Sequence, residues 1–189
     1  GEPTLPPAVA VVNPNRSDCP YPGKGLCGAG VAFELCRLLA ADEGLGLDDL
    51  VWYLDLVALA TVADLVPLRE ENRVLVRYGL RVLRQTRNPG LHALLAVSGL
   101  GEGEKVGAGK VAFGLAPRIN AAGRVGDASD GLRLLLTDDP DEARALAGRL
   151  DRMNRERREE DRRTLEQALE LLEGSYDPER DHAVVLAAE

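Results

Sequence analysis

DLVALATVADLVP, residues 55–67, is the stretch that decides the fold. It is almost wholly apolar, and its two carboxylates, Asp55 and Asp64, lie within or beside the apolar run. An ionised carboxylate in apolar surroundings is costly unless a cation or a set of donors meets it. The small residues Ala60, Thr61 and Ala63 leave room for a ligand to approach Asp64. Either both carboxylates lie at element ends, facing water or capping a helix, or Asp64 is a metal ligand at the end of a buried helix.

The composition is typical of a soluble globular protein with one or two domains. The 189 residues are 45% hydrophobic and 29% charged, and no apolar run is long enough to predict a transmembrane helix. Residues 1–12 lack the basic start and the long apolar core of a signal peptide. A net charge of −8 argues against nucleic-acid binding by the whole surface but leaves room for a local basic groove.

Three cysteines, Cys19, Cys27 and Cys36, form an odd set without CxxC spacing. This usage predicts neither a disulfide framework nor a zinc site, and it fits a reducing compartment such as the cytoplasm. Cys36 lies in an apolar helical pattern and is predicted in the core. Cys19 and Cys27 flank a Pro/Gly loop that could leave them exposed.

The first part of the chain predicts one strand, one loop and one helix. Residues 8–12 form a short apolar run that ends at Asn-Pro, as in a buried strand. Residues 25–30 are a Gly-rich turn before a helix, which either simply reverses the chain or offers backbone N–H groups to an anion. Residues 31–41 predict a helix, and one face of it carries the apolar residues Val31, Leu35, Leu38 and Leu39.

Two longer helices are predicted next, over residues 48–64 and 69–87, followed by a short one over residues 91–97. Pro67 ends the first, and Asn88-Pro89-Gly90 is expected to stop the second. In the second helix, Arg73, Arg77, Arg81 and Arg84 share one face, and we refer to these four residues as the basic stripe. The basic stripe is either a solvated surface or a phosphate-binding surface.

The most polar constellation, APRINAAGR, occupies residues 116–124 after a predicted helix over residues 106–115. Pro117 is expected to break that helix. Arg118 and Arg124 carry planar sets of donors that suit phosphate, and Asn120 supplies a donor and an acceptor. The residues alone are equally compatible with a helix C-terminal cap carrying surface arginines.

The last third predicts a short helix over residues 129–136 and then a long one from Pro140 to about Leu172. The long helix is apolar at both ends and fully polar over residues 154–164, as expected of a bridge between two cores. Gly174 is expected to stop it, and residues 183–186 read as the start of a strand.

Three stretches together resemble the RecJ-type single-strand exonucleases of the DHH phosphoesterase superfamily. These stretches are VVNP at residues 11–14, LATVADLVPL at 59–68 with ENR at 71–73, and FGLAPRINAAGR at 113–124. DD at residues 138–139 and NRERR at 154–158 are also similar. The resemblance implies an α/β fold overall, mostly helical in this segment. Residues 1–138 would be the C-terminal part of the catalytic domain, 139–174 a long connecting helix, and 175–189 the first strand of the DHH-associated domain.

The resemblance also implies a two-metal site for Mn²⁺ or Mg²⁺, in which only Asp64 of this chain matches a ligand and a catalytic residue. The other ligands, including the Asp-His-His motif, would precede Gly1, so the segment alone is expected to be inactive. Arg118, Asn120 and Arg124 would face substrate phosphates near a 5′ end. His92 and His182 match no family motif.

The implied function is 5′-to-3′ digestion of single-stranded DNA in repair and recombination. A single-strand-binding protein and a helicase are the implied partners, and the cytoplasm is the implied location. The alternatives are a phosphoesterase of the same superfamily that cleaves small molecules or short oligonucleotides, and a helical interaction module without an active site.

Overall fold

Helices make up the regular secondary structure of the chain wherever it is described. The structure is a computed structural model that describes residues 5–101, 104–125, 127–172, 176 and 183–186. In chain order the elements are α1 (Gly28–Asp42), α2 (Leu47–Leu50), a 3₁₀ turn (Val51–Tyr53), α3 (Leu54–Ala63), α4 (Glu70–Leu83), α5 (Pro89–Val97), α6 (Ala108–Lys110), a π turn (Val111–Leu115), α7 (Ala116–Val125), α8 (Ser129–Leu136) and α9 (Pro140–Leu172). No helix within these ranges is both long and apolar enough to span a bilayer.

The core is assembled around α3, which carries apolar side chains on all its sides and is therefore surrounded by other helices. It contacts α1, α4, α7 and the π turn. The main hydrophobic cluster joins it to the inner faces of α5, α8 and α9, with Leu83, Leu91, Leu94, Leu115 and Leu150 fully buried. The prediction that residues 55–67 organise the fold is thus confirmed, and α3 ends at Ala63 as expected.

The α3–α4 contact depends on Gly79. A Cβ atom at that position would lie 2.1 Å from the Leu54 carbonyl oxygen and 2.5 Å from the Ala58 Cβ. Both are closer than nonbonded atoms approach each other, so any larger residue would push the two helices apart. Glycine at this position lets α4 lie directly on the buried helix.

Three predictions for the N-terminal part are wrong. Residues 8–12 form no strand, because an isolated strand leaves its backbone groups unpaired and no partner strand exists among the described residues. In α1 the helix is correct but the face is not: Leu35, Leu38 and Leu39 are exposed, while Phe33 is buried towards α3. The same rotation of α1 exposes Cys36, which was predicted in the core. Cys27, which the Pro/Gly loop could have left exposed, is buried.

The expected stop after residue 87 is in fact the start of α5. The helix α4 ends at Leu83, four residues earlier than predicted. Asn88 is the N-cap of α5, because its side-chain oxygen accepts a hydrogen bond from the Leu91 N–H (2.9 Å), and Pro89 occupies the first turn.

The prediction that Pro117 breaks a helix is also wrong. From Ala108 to Val125 the chain is continuously helical, with the π turn Val111–Leu115 directly before α7. Pro117 is the second residue of α7. A proline costs little at the start of an α-helical segment, and the wider π turn changes the hydrogen-bond register just before it.

The C-terminal helices agree with the predictions. Helix α8 has the predicted bounds, and α9 runs from Pro140 to Leu172 after Asp139, whose side chain accepts from the Asp141 N–H (2.8 Å). The first half of α9 is packed against α5, α7 and α8, whereas Leu165 and Leu169 near its end are exposed. Gly174 lies outside the described residues, and residues 183–186 are described without strand structure.

Candidate nucleic-acid and metal site

Asp64 lies at the C-terminal end of the buried helix α3. Its backbone N–H donates to the Ala60 carbonyl oxygen (2.9 Å), and its side chain is exposed without a hydrogen-bond or ion-pair partner among the described residues. The next residue, Leu65, has a φ of +54°, a left-handed conformation that costs a non-glycine residue of the order of 1–3 kcal/mol. Such strained positions concentrate at functional sites. The carboxylate is therefore held on a rigid element but open to a ligand.

A chain of hydrogen bonds fixes the last turn of α3 to the start of α1. The Thr61 hydroxyl donates to the Val57 carbonyl oxygen (2.7 Å), and the Cys27 thiol lies 3.3 Å from the same hydroxyl. The Gly30 N–H in turn donates to the Cys27 sulfur (3.4 Å), which makes Cys27 the N-cap of α1. Since the Thr61 proton is already used, the thiol donates to Thr61. At the start of α1 the Cys27 side chain thus already accepts from the Gly30 N–H. This favours the interpretation that residues 25–30 simply reverse the chain over the one in which they bind an anion.

The ENR segment, residues 71–73, also holds the chain around Asp64 in place. The Asn72 amide nitrogen donates to the carbonyl oxygens of Gly25 (2.7 Å) and Pro67 (3.2 Å), joining the loop before α1 to the turn after Asp64. Tyr21 donates to Glu71 (2.8 Å), and burial together with that carboxylate raises the pKa of Tyr21 to about 12. The Asn72 Oδ1 atom is buried and has no hydrogen-bond partner in the described part of the chain.

Asp55, the other carboxylate of the stretch, has a different environment. Its side chain is 3% exposed and accepts hydrogen bonds from the Thr86 hydroxyl (2.5 Å) and the Leu56 N–H (2.6 Å). Burial raises the pKa of Asp55, and the two donors offset part of that shift. The carboxylate in apolar surroundings is therefore Asp55, not Asp64.

Helix α7 holds the three residues predicted to bind phosphate, but it does not present them together. Asn120 and Arg124 are one turn apart and exposed, and neither has a side-chain partner among the described residues. Arg118 points towards α9, where its Nε and Nη2 atoms donate to Asp151 Oδ1, each at 2.9 Å, and its Nη1 atom donates to the Gly114 carbonyl oxygen. Asn120 and Arg124 thus point towards solvent, whereas Arg118 points towards α9.

Asp151 is the residue that the sequence analysis missed. It is 4% exposed, and its second oxygen accepts from Arg155 one turn further along α9. Its position in the sequence could have indicated this role. Asp151 directly follows Leu150 on the core-facing side of α9, and a buried carboxylate there needs a partner. One turn on, Asn154 is also buried, and its Oδ1 atom has no hydrogen-bond partner in the described ranges.

The chain can supply part of a metal site. Within the described ranges no group of three or more His, Cys, Asp or Glu side chains is close enough to hold an ion. An exposed, unpartnered carboxylate on a fixed helix end does fit a single oxygen ligand for a hard divalent cation, with the other ligands supplied from elsewhere. Asp64 meets that description and Asp55, with both oxygens occupied, does not.

No family model matches the chain. Among curated relatives, the single-stranded-DNA-specific exonuclease RecJ of Dickeya dadantii is 46% identical over 180 residues, which cover 90% of this chain and 31% of the relative. The RecJ of Escherichia coli is 44% identical over the same coverage, and that of Thermus thermophilus is 47% identical over 163 residues. The chain spans about a third of the length of the first two relatives.

Solved structures agree with this similarity. A crystal structure of Thermus thermophilus RecJ in complex with Mn²⁺ matches 94% of this chain with a TM-score of 0.73 and 42% identity, over 26% of its own chain. A second structure, of exonuclease RecJ bound to manganese, matches 95% of this chain with a TM-score of 0.74, over 43% of its own chain.

Proposed function

We propose, on the premise that this chain belongs to the RecJ family of single-stranded-DNA-specific exonucleases, that it forms part of a metal-dependent enzyme that digests single-stranded DNA from the 5′ end. One observation carries the proposal. The TVAD stretch, in a chain 46% identical to a RecJ exonuclease, ends in a carboxylate that a buried helix fixes and that the described residues leave free.

In this proposal residues 1–138 complete a DHH catalytic domain, residues 139–174 connect it to a second domain, and residues 175–189 begin that domain. The first half of α9 packs against the core and the later leucines are exposed, as expected of a helix that leaves one domain for another. The enzyme would act in the cytoplasm, in repair and recombination, with a single-strand-binding protein and a helicase as partners.

Asp64 is the residue of this chain that would hold Mn²⁺ or Mg²⁺. When bound, a pair of such ions supplies an activated water and charge stabilisation for cleavage of a phosphodiester. Asp64 contributes by its position, because the hydrogen-bonded last turn of α3 fixes the backbone that carries the carboxylate. Leu65, the residue after it, has a left-handed conformation, and Asp64 is exposed.

Asn120 and Arg124 would contact the substrate phosphates near the 5′ end. Both are exposed and one turn apart, so a single phosphate can reach the amide and the guanidinium together. Arg118 is 15% exposed and uses three of its five N–H donors on Asp151 and Gly114. It would hold α7 in place and add a phosphate contact through the remaining donors.

A chimera tests the proposal. The matching 180 residues of the Escherichia coli relative are replaced by those of this chain, and digestion of single strands labelled at the 5′ or the 3′ end is followed with Mn²⁺. We expect digestion to begin at the 5′ end. Asp64→Asn should slow it by at least about 10³-fold, because a metal site stabilises the transition state by several kcal/mol.

The control is Asp42→Asn, which removes an exposed carboxylate at the end of α1. It should leave the rate and the Mn²⁺ affinity, measured by calorimetry, unchanged, whereas Asp64→Asn should lower both. An Asp64→Asn chimera that digests at the unsubstituted rate would remove Asp64 from the metal site.

A further inference from the structure

The arginines of the described residues differ in whether a carboxylate lies within ion-pair distance of them. Ten of them form ion pairs with carboxylates, and these are Arg16, Arg37, Arg118, Arg133, Arg144, Arg149, Arg155, Arg157, Arg162 and Arg163. Between residues 69 and 87 there are six more arginines and only two glutamates. None of these six has a carboxylate within ion-pair distance among the described residues.

Arg124, Arg152 and Arg158 also lack an ion pair among the described residues, but only the arginines of residues 69–87 follow one another along a single segment. The basic stripe runs along the outer face of α4 to its C-cap, Arg84, and lies opposite Gly79 and Val82, which are buried. All four of its arginines are exposed. The stripe runs from residue 73 to residue 84 and so extends over about 17 Å at about 1.5 Å per residue. Like charges at this spacing destabilise a helix, so a row of them without counter-charges favours a role in binding an anion.

Aromatic rings support two arginines of this surface. The Arg81 guanidinium lies 5.2 Å from the ring centroid of Tyr78, whose side chain is 49% exposed. Arg87, just beyond α4, lies 3.6 Å from the ring centroid of Trp52. Arg84 is held by the Val106 carbonyl oxygen (3.2 Å). These contacts orient the guanidinium groups in advance of binding.

We propose that the basic stripe, with Arg87, binds the phosphates of a single-stranded nucleic acid away from its 5′ end, as a second contact distinct from Asn120 and Arg124. The identity of the partner rests on the proposed function. Unpaired guanidinium groups in a row match a repeating phosphate backbone, and an exposed tyrosine beside them offers a surface on which a base can stack. An acidic protein could neutralise the arginine charges but has no nucleobases to stack on the exposed tyrosine.

The test measures the affinity of the 189-residue chain for labelled oligothymidylate by fluorescence anisotropy, over a series of salt concentrations, with and without a 5′ phosphate. The variant Arg73→Gln/Arg77→Gln removes two exposed arginines that have no partner among the described residues. We expect about tenfold weaker binding at low salt, and a fall of about 1.4 in the slope of log K against log salt, because each phosphate contact on a single strand contributes about 0.7.

The matched control is Arg37→Gln/Arg133→Gln, which removes the same charge from two exposed but carboxylate-paired arginines. It should change the affinity by less than about twofold, and circular dichroism should show both variants to be folded. The loss in the stripe variant should be the same with or without the 5′ phosphate. An effect of Arg124→Gln, in contrast, should require the 5′ phosphate, so failure of one site can be told from failure of the other.

Three results would overturn the proposal. The first is unchanged affinity and salt slope in the stripe variant, or an equal loss in the control. The second is absence of measurable binding by the unsubstituted chain at low salt. The third is binding of polyglutamate as tightly as oligothymidylate through the same arginines, which would assign the surface to an acidic protein.

Discussion

Helices α3 and α7 each carry one charged side chain turned inward and one turned outward, but the inward groups are satisfied in different ways. Asp55 of α3 meets a neutral hydroxyl and a backbone N–H. Arg118 of α7 meets a buried carboxylate of opposite charge. The outward groups, Asp64 and Arg124, have no side-chain partner within the described residues. Each of the two helices thus combines a charged group that is satisfied inside the fold with one that is exposed to solvent.

Apart from the loss of digestion expected for Asp64→Asn, the largest effect should be that of Arg118→Met on the free energy of unfolding. It leaves Asp151 buried with only Arg155 as a counter-charge, so we expect a loss of about 3 kcal/mol in the free energy of unfolding. Urea denaturation of the 189-residue chain measures it. The double variant Arg118→Met/Asp151→Leu should regain most of the loss, because no unpaired charge then remains buried.

Arg124→Met is the outward control for that experiment and should change the free energy of unfolding by less than about 0.5 kcal/mol. A loss as large as that of Arg118→Met would contradict the division of α7 into an inward and an outward charge.

An intermediate effect is expected when Arg124→Gln is placed in the chimera. Binding of a 5′-phosphorylated strand should weaken about tenfold, which corresponds to about 1.4 kcal/mol for a lost charge-assisted hydrogen bond. Binding of the same strand without the phosphate should change much less. Equal weakening for both strands would show that Arg124 contacts the chain interior and not its end.

The smallest effect concerns the pH dependence of Asp55. Its folded-state pKa is raised above the unfolded value, so its contribution to stability is fully present below the unfolded pKa and is lost as pH rises through the folded pKa. Asp55→Asn should remove this loss, so the stability of the variant relative to the wild type should increase as pH rises over that window. Urea midpoints at a series of pH values measure the difference, and a constant difference would show that Asp55 titrates as it does when unfolded.

The sequence predicted those parts of the fold that local patterns control. Helix α8 and the start and end of α9 agree with the prediction, because capping residues and apolar spacing lie within the elements themselves. The buried α3 was likewise evident from its continuous apolar run. The errors occurred where distant residues decide the outcome. The face of α1 that becomes buried depends on α3, and the isolated run at residues 8–12 has no partner strand within the described residues.

The sequence indicated which residues belong to the candidate site. It did not indicate which of their side chains point into the core and which are exposed. Asp64 and the APRINAAGR segment were identified from composition and from the resemblance. That Arg118 turns inward depends on Asp151, 33 residues away, and on the register that the π turn sets before α7. Likewise, the sequence did not distinguish the solvated Asp64 from the buried Asp55, because the partner of Asp55, Thr86, is 31 residues distant.

Helix α9 can act as a lever, because its first half is packed into the core. Its first half is fixed by Leu146 and Leu150 in the core and by the contacts of Asp151 with Arg118 and of Arg149 with Asp130. From residue 155 to Leu172 it extends a further 27 Å or so, at about 1.5 Å per residue. A force applied near Leu172 would act on the packed half with that leverage, and the ion pair between Asp151 and Arg118 would transmit it to α7.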